Sequence, residues 1–265
     1  MSWDVLRFLL IFALAFSIAN FLAIQLTTIY LHRCKTHGAL ILHPLLERSC
    51  KFLVSIHTSI VLKEWVGVHR IHHAHTDEPG DPHSPLIHGF TRVQFWNVRL
   101  YTRAAQDKQM IEKHTPDIPY TKADRWFYNH TVLVLGTGGS LYLYCLGLAG
   151  LVGFIVSGLL YVFLQSSTIN GLGHWPSKIG SRNYTGTHAV SSYNLELPGV
   201  LNYLLSWYLG GENLHNNHHG DPRSAIFAHF PDKGEIDPAG AIIRFLKRIG
   251  LAKNVVRHRT DVIGV

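Results

Sequence analysis

Nineteen histidines in 265 residues give this chain an unusual supply of neutral nitrogen ligands, and nine of them fall into four short clusters. His32 and His37 bracket His-Arg-Cys-Lys-Thr-His. His69, His72 and His73 form His-Arg-Ile-His-His. His174 closes Asn-Gly-Leu-Gly-His, and His215, His218 and His219 form His-Asn-Asn-His-His. On an α-helix, positions i, i+3 and i+4 lie within roughly 100° of one face. Three imidazoles so arranged converge on one side and can serve two metals. His32 and His37, five apart, are separated by roughly 140° on a regular helix; they serve different metals or sit on a distorted helix end. A lone histidine is usually a structural residue, but two triplets of one spacing plus a His-x4-His pair point to metal coordination. A catalytic zinc uses three protein ligands, whereas nine suffice for two metals with four or five each. Imidazole suits iron, copper, nickel and zinc alike, so the donors leave the element open. Bis-histidine haem is a competitor, but its ligands lie inside membrane spans, and no Cys-x-x-Cys-His motif is present.

These clusters flank apolar segments. Hydrophobic residues make up 47% of the chain and charged residues 15%, below the quarter usual in soluble domains. Mean hydropathy is a modest +0.10, which fits apolar spans joined to a sizeable polar part. From Val5 to Leu31 the chain is apolar except for Arg7 and a few uncharged polar residues. That run is too long for a signal peptide and has no small-residue cleavage site after it, so it reads as a membrane span. The whole run from Thr131 to Ile169 carries no charge. Its length predicts two further spans joined by a tight turn between Gly147 and Gly153. The stretch 44–65 is interrupted by Glu47, Arg48, Lys51, Lys63 and Glu64 and is expected to be one amphipathic helix lying at the interface. A helix that does not cross keeps the histidines before and after it on one membrane face.

The expected architecture is therefore an all-α integral membrane protein forming a single domain over 1–265. It has about three transmembrane helices (5–31, 130–148 and 150–169), an interfacial helix, and a helical cap from 66–128 and 170–265. Arg244, Lys247, Arg248, Lys253, Arg257 and Arg259 put the C-terminal part in the cytoplasm by the positive-inside rule. The formal charge of +7 accompanies no nucleic-acid motif; anionic lipid headgroups or an acidic redox partner are its expected use. Cys34, Cys50 and Cys145 are too far apart for a Cys-x-x-Cys motif and too few for an iron–sulfur cluster, and they are expected to be structural thiols.

The three histidine boxes resemble those of the membrane fatty acid desaturases, in the stearoyl-CoA desaturase-like delta-9 branch, with closest similarity to bacterial acyl-lipid and acyl-CoA members. The likeness extends to Glu64-Trp65 before the second box, Asp81-Pro82-His83-Ser84 after it, Gly211-Glu212 before the third, and Asn170-Gly-Leu-Gly-His174. It runs in order from residue 30 to 225. The resemblance implies two iron ions held by the nine histidines in the cap, with Asn170 acting through a bound water. It also implies O2 as co-substrate and removal of hydrogen from adjacent methylenes of an acyl chain in a kinked apolar tunnel, with Trp65 as a wall residue. Asp77, Asp81, Glu212 and Asn194 are the expected acceptors for the far N–H groups of the ligands; His75, His83, His88, His188 and His229 fall outside the family pattern.

Two features depart from that family. The stretch before His32 has room for one span, where the family has two, so three spans and a periplasmic N-terminus are expected here. Val66-Gly67-Val68 is apolar where acyl-CoA members carry polar residues, which leaves phospholipid, acyl-CoA or acyl carrier protein as the substrate's carrier. Electrons are expected to come from a separate ferredoxin-, rubredoxin- or cytochrome-type donor. The expected location is the bacterial inner membrane, with the site on the cytoplasmic side. Hydroxylation, acetylenation and oxidative decarboxylation compete with desaturation on the same ligands. A metal- or haem-binding electron-transfer subunit and an inactive structural membrane protein are the alternatives of other classes.

Overall fold

The computed structural model describes residues 1–186 and 191–257, so His188 and Arg259 lie outside the described residues. The first helix, α1 (Trp3–Leu26), starts at Ser2, whose Oγ accepts a hydrogen bond from Val5 N (3.4 Å), a normal N-cap arrangement. It is apolar on every side and runs without interruption into a π-helical segment, Thr27–Thr36. Together these 34 residues are long and apolar enough to cross a membrane.

The second such stretch comprises α7 (Thr131–Leu160), π-helical Tyr161–Gln165 and α8 (Ser166–Leu172). It is not straight. Gly147 has φ +66° and ψ −162°, a conformation open to glycine because it has no Cβ. The Tyr142 and Phe154 rings are stacked with centroids 5.0 Å apart, whereas a straight helix would separate them by about 18 Å. The chain thus doubles back at Gly147, and α7 is a helical hairpin. α1 packs along it, and Gly153 allows the backbone at Phe12 and Phe16 to approach where a Cβ would lie 2.8–2.9 Å away.

The stretch 44–65, expected to be one interfacial helix, is two: α2 (Pro44–Thr58) and α3 (Leu62–Ala74). Ser59 in the left-handed region (φ +53°) and extended Val61 break it. Tertiary packing explains the break. The end of α2 lies against α7, with the Ile56 carbonyl over Gly138. Tyr142 OH bonds to His57 Nε2 (3.1 Å), while His57 Nδ1–H donates to Leu53 O (2.7 Å). Reversal at Ser59 then directs α3 back toward the other histidines.

The remaining described α-helices are α4 (Pro85–His88), α5 (Phe90–Ala105), α6 (Lys108–His114), α9 (Val200–Tyr208), α10 (His215–Gly220) and α11 (Pro238–Arg248). β1 (Ile41–Leu42) pairs antiparallel with β4 (Ala252–Lys253), and β2 (Gly180–Ser181) with β3 (Asn194–Leu195). A buried cluster that includes Tyr30, Leu31, Cys34, Cys50 and Ile243 ties the π-helical segment to α2 and α11. All three cysteines are free, and Cys145 is exposed. One ion pair here has no signature in the sequence. Arg33, fully buried, donates two hydrogen bonds to the Asp237 carboxylate (2.8 and 2.9 Å) and stacks on Phe227 at 3.7 Å. Such a paired, fork-to-fork geometry is what makes burying an arginine tolerable.

Candidate metal centre

The π-helical segment decides the geometry of the first box. Its i→i+5 bonding returns the chain to the same side after five residues, and His37 N donates to His32 O (3.2 Å). His32 and His37 therefore share one group instead of facing different metals. A regular helix would have separated them.

All nine histidines from the four clusters come together, in two groups whose ligand atoms lie within 4.8 Å of one another. One group is His32, His37, His69, His73 and His218; the other is His72, His174, His215 and His219. The two His-x-x-His-His helices divide in opposite ways. α3 sends its i, i+4 pair (His69, His73) to the first group and its i+3 ring (His72) to the second. α10 sends its i, i+4 pair (His215, His219) to the second and its i+3 ring (His218) to the first.

Within the first group, Nε2 of His218 is 3.1 Å from that of His32 and 2.9 Å from that of His73, and His69 and His73 are 3.1 Å apart. In the second, Nε2 of His174 and His215 are 2.8 Å apart and those of His72 and His219 3.4 Å. Nitrogens bound at about 2.0–2.1 Å to a shared ion, at angles of roughly 90–109°, sit about 2.8–3.4 Å apart, so these spacings fit metal coordination.

The opposite sides of three rings carry the carboxylates that metal-bound histidines usually require. Nδ1–H of His72 donates to Asp81 Oδ2 (2.9 Å), of His174 to Asp77 Oδ2 (2.9 Å), and of His32 to Glu212 Oε1 (3.0 Å). Each bond fixes the proton on Nδ1 and leaves the Nε2 lone pair facing the group. Glu212 also accepts from Thr28 Oγ1, and Asp77 from Ser84 Oγ (2.5 Å). Asp77 takes φ +60° to reach both partners, a conformation that aspartate tolerates better than most residues.

Electrostatics agree. Burial, reinforced by neighbouring rings, holds His37, His69, His73, His215, His218 and His219 well below the ordinary histidine range. Burial also lowers His174, despite the opposing pull of Asp77. Neutral imidazole is the ligating form. Burial pushes the Asp81 carboxyl upward, but its bonded His72 ring outweighs that and keeps it ionised. Glu212 behaves in the same way, with His32 and Arg33 opposing burial.

Among the described residues, the Asn194 side chain makes no hydrogen bond to the nine rings. Its Oδ1 instead accepts from the N–H groups of Asn216 and Asn217 (2.9 and 3.1 Å), because the first turn of α10 has donors with no intrahelical partner. Asn170 and Trp65 both line a cavity of about 410 Å³ that reaches His32, His69 and His215. Trp65 also stacks on His69 at 5.0 Å. Among the histidines outside the pattern, His83 is buried against His72, 4.6 Å between ring centroids, and lines the same cavity. His88 Nε2–H donates to the Asp81 carbonyl (2.9 Å). Phe227 lies against His32 and His218. The sequence expectation left His83 outside the site, although Asp81-Pro82-His83-Ser84 could have signalled it; nothing in the spacing points to Phe227.

The family model described as "Fatty acid desaturase" matches residues 7–229. The chain is similar to the Delta-9 desaturase-like 5 protein of Arabidopsis thaliana, 28% identical over 267 residues, which cover 96% of this chain and 77% of that protein. It is also similar to an icosanoyl-CoA 5-desaturase of Limnanthes douglasii (29% identical; 96% of this chain, 66% of that one). A third relative is an sn-1 stearoyl-lipid 9-desaturase of Anabaena variabilis (28% identical; 72% and 64%).

Proposed function

This chain belongs to the fatty acid desaturase family, and from that premise we propose that its nine clustered histidines hold two iron ions for O2-dependent desaturation of a fatty acyl chain. The observation that carries this is the pair of histidine groups, each with ligand atoms within 4.8 Å, backed by Asp77, Asp81 and Glu212. His32, His37, His69, His73 and His218 would hold one iron and His72, His174, His215 and His219 the other, with Asn170 acting through water. When bound, the irons supply O2-driven removal of two hydrogens from neighbouring methylenes. The rest of the task falls to the chain's own residues. The three carboxylates orient the rings, and the apolar cavity walls exclude water and lay the acyl chain beside His32, His69 and His215. Trp65 closes one wall and fixes His69 by stacking.

The charge-free hairpin of α7 and the long α1 support three membrane spans, with the histidine cap on the cytoplasmic side of a bacterial inner membrane. The whole chain acts as one domain. Electrons arrive from a separate ferredoxin-, rubredoxin- or cytochrome-type protein. Relatives named for lipid-linked and for CoA-linked substrates, and for positions 9 and 5, support an acyl substrate and leave carrier and position to experiment; a delta-9 product on a phospholipid is the first to seek.

Expression of the intact chain in a host lacking unsaturated fatty acids, followed by mapping of double-bond positions in its lipids, tests this. A new monounsaturated acid, with about two irons per purified chain, is expected. A hydroxy acid, an alkyne or a terminal alkene would replace desaturation with a neighbouring reaction. A Soret band with no lipid product would replace it with electron transfer.

A further inference from the structure

The cavity beside the histidines also has a polar wall, formed by α5. Asn97, Tyr101 and Thr102 line it there, near Ser59 and Glu64. Asn97 and Tyr101 are one helical turn apart and so share a face. The Tyr101 hydroxyl and Asn97 Oδ1 are both buried and have no hydrogen-bond partner, although the Asn97 amide N–H donates to Ser166 Oγ (3.3 Å). Two such unpaired atoms on residues that line a largely apolar cavity are unfavourable until something pairs with them. Burial, with Glu64 nearby, pushes the Tyr101 phenol up from its ordinary range, so it stays a neutral O–H donor.

The partner it needs is a neutral acceptor. The charged groups lining the cavity, among the described residues, are the carboxylates Glu64 and Glu212, with no lysine or arginine; an anionic group would meet no countercharge there. The acyl carbonyl is the neutral acceptor shared by a glycerolipid ester and by the thioesters of CoA or acyl carrier protein.

Resting on the desaturase reading, we propose that the acyl carbonyl oxygen of the substrate accepts a hydrogen bond from the Tyr101 hydroxyl. This hydroxyl is then the fixed point from which chain carbons are counted toward the histidines. Asn97 Oδ1 takes an N–H, hydroxyl or water beside it. Without the bond, an otherwise apolar chain in an apolar channel can slide by one methylene at little cost.

Tyr101→Phe removes the hydroxyl and keeps the ring. The test uses the iron-loaded full-length chain in bilayer nanodiscs, with electrons from NADPH through ferredoxin reductase and ferredoxin. Distearoylphosphatidylglycerol, stearoyl-CoA and stearoyl-acyl carrier protein are supplied in separate arms, and the arm that the unmodified enzyme desaturates identifies the carrier. For that carrier, Tyr101→Phe is expected to raise KM about fivefold, the size of one ordinary hydrogen bond, with iron content unchanged. It is also expected to spread the double bond to neighbouring positions. Unchanged KM and a single bond position would overturn the carbonyl assignment while leaving the desaturase reading intact. Loss of iron in Tyr101→Phe would overturn it too, by making the hydroxyl a prop of the metal site. If the unmodified enzyme desaturates none of the three with ferredoxin, and none when rubredoxin or a cytochrome replaces it as donor, the desaturase reading itself falls, and the carbonyl proposal with it.

Discussion

α3 and α10 carry the same His-x-x-His-His spacing and each deliver three rings to the two histidine groups, yet they are fixed in place by different means. α3 has 13 residues, enough for its own backbone ladder to orient the rings. Its outer face is tied down by ions: Arg70 to Asp117 (2.6 and 3.0 Å) and Lys63 to Glu112 (2.8 Å). α10 has only 6 residues, too few to be stable alone, and among the described residues it has no ion pair of its own. Two asparagine side chains hold it, with a single carboxylate, Glu235, among their partners. Asn217 Nδ2 donates to the Phe227 carbonyl and to Glu235 Oε1 (both 2.8 Å), and its Oδ1 accepts from Asn183 and Asn194 (2.8 and 3.0 Å). Asn216 Oδ1 accepts from the N–H groups of Asn183 and Tyr184 (both 2.7 Å). Charges suit a helix whose partners reach water, since the Asp117 and Glu112 side chains are 57% and 60% exposed. A helix enclosed on all sides is better served by satisfied neutral groups, because burying charge is costly.

The largest effect tests the equivalence of the two helices. His72→Ala and His218→Ala remove the i+3 ring of each, and the rings belong to different groups. Both are expected to abolish desaturation and to cut bound iron by about half or more, measured by elemental analysis. Full iron in either variant would show that its helix supplies no ligand.

The difference between the helices comes next. Asn217→Ala leaves several buried polar groups unpaired, each costing about 1–3 kcal/mol. It should lower the unfolding temperature and release iron although no ligand is changed. Asn194→Ala should do the same to a smaller degree, near the 0.5–2 kcal/mol or so of a lost helix cap.

Removing the acceptors behind the rings affects metal affinity more than stability. Asp81→Asn behind the α3 ring His72, and Asp77→Asn behind His174, should each weaken iron binding about 10–100-fold, read by competition with a chelator. Unaltered affinity would reduce these carboxylates to bystanders.

Arg70→Ala is expected to do least. Its ion pair is partly exposed, so about 1 kcal/mol or less of stability should be lost, with iron retained. A loss as large as that of Asn217→Ala would erase the distinction between the two helices.

Much of the site was legible in advance because ligand chemistry needs few residue types at short, regular spacings. His69, His72 and His73 are neighbours on any helix, and so are His215, His218 and His219. Asp77, Asp81 and Glu212 were visible as acids close in sequence to a box. The helical hairpin was legible as well: an uncharged run from Thr131 to Ile169 with a glycine near its middle leaves little else for the chain to do.

Other features were not legible, for identifiable reasons. The π-helical turn that unites His32 with His37 is a backbone choice with no composition of its own. The break at Ser59 depends on α7, which begins only at Thr131, far outside any local window of sequence. Asn194 was expected to accept from a ring N–H, but its Oδ1 serves the backbone N–H groups at the start of α10, which exist only once that short helix forms.

Spacing and polarity along the chain thus dictate that there are nine nitrogen donors beside apolar, span-length helices, because helix periodicity and the length of an apolar run are local properties. Which ring joins which group, which acid stands behind it and where the cavity meets them depend on contacts between residues such as His72 and His219, 147 positions apart. Those contacts arise from how the helices pack, and local sequence does not specify packing.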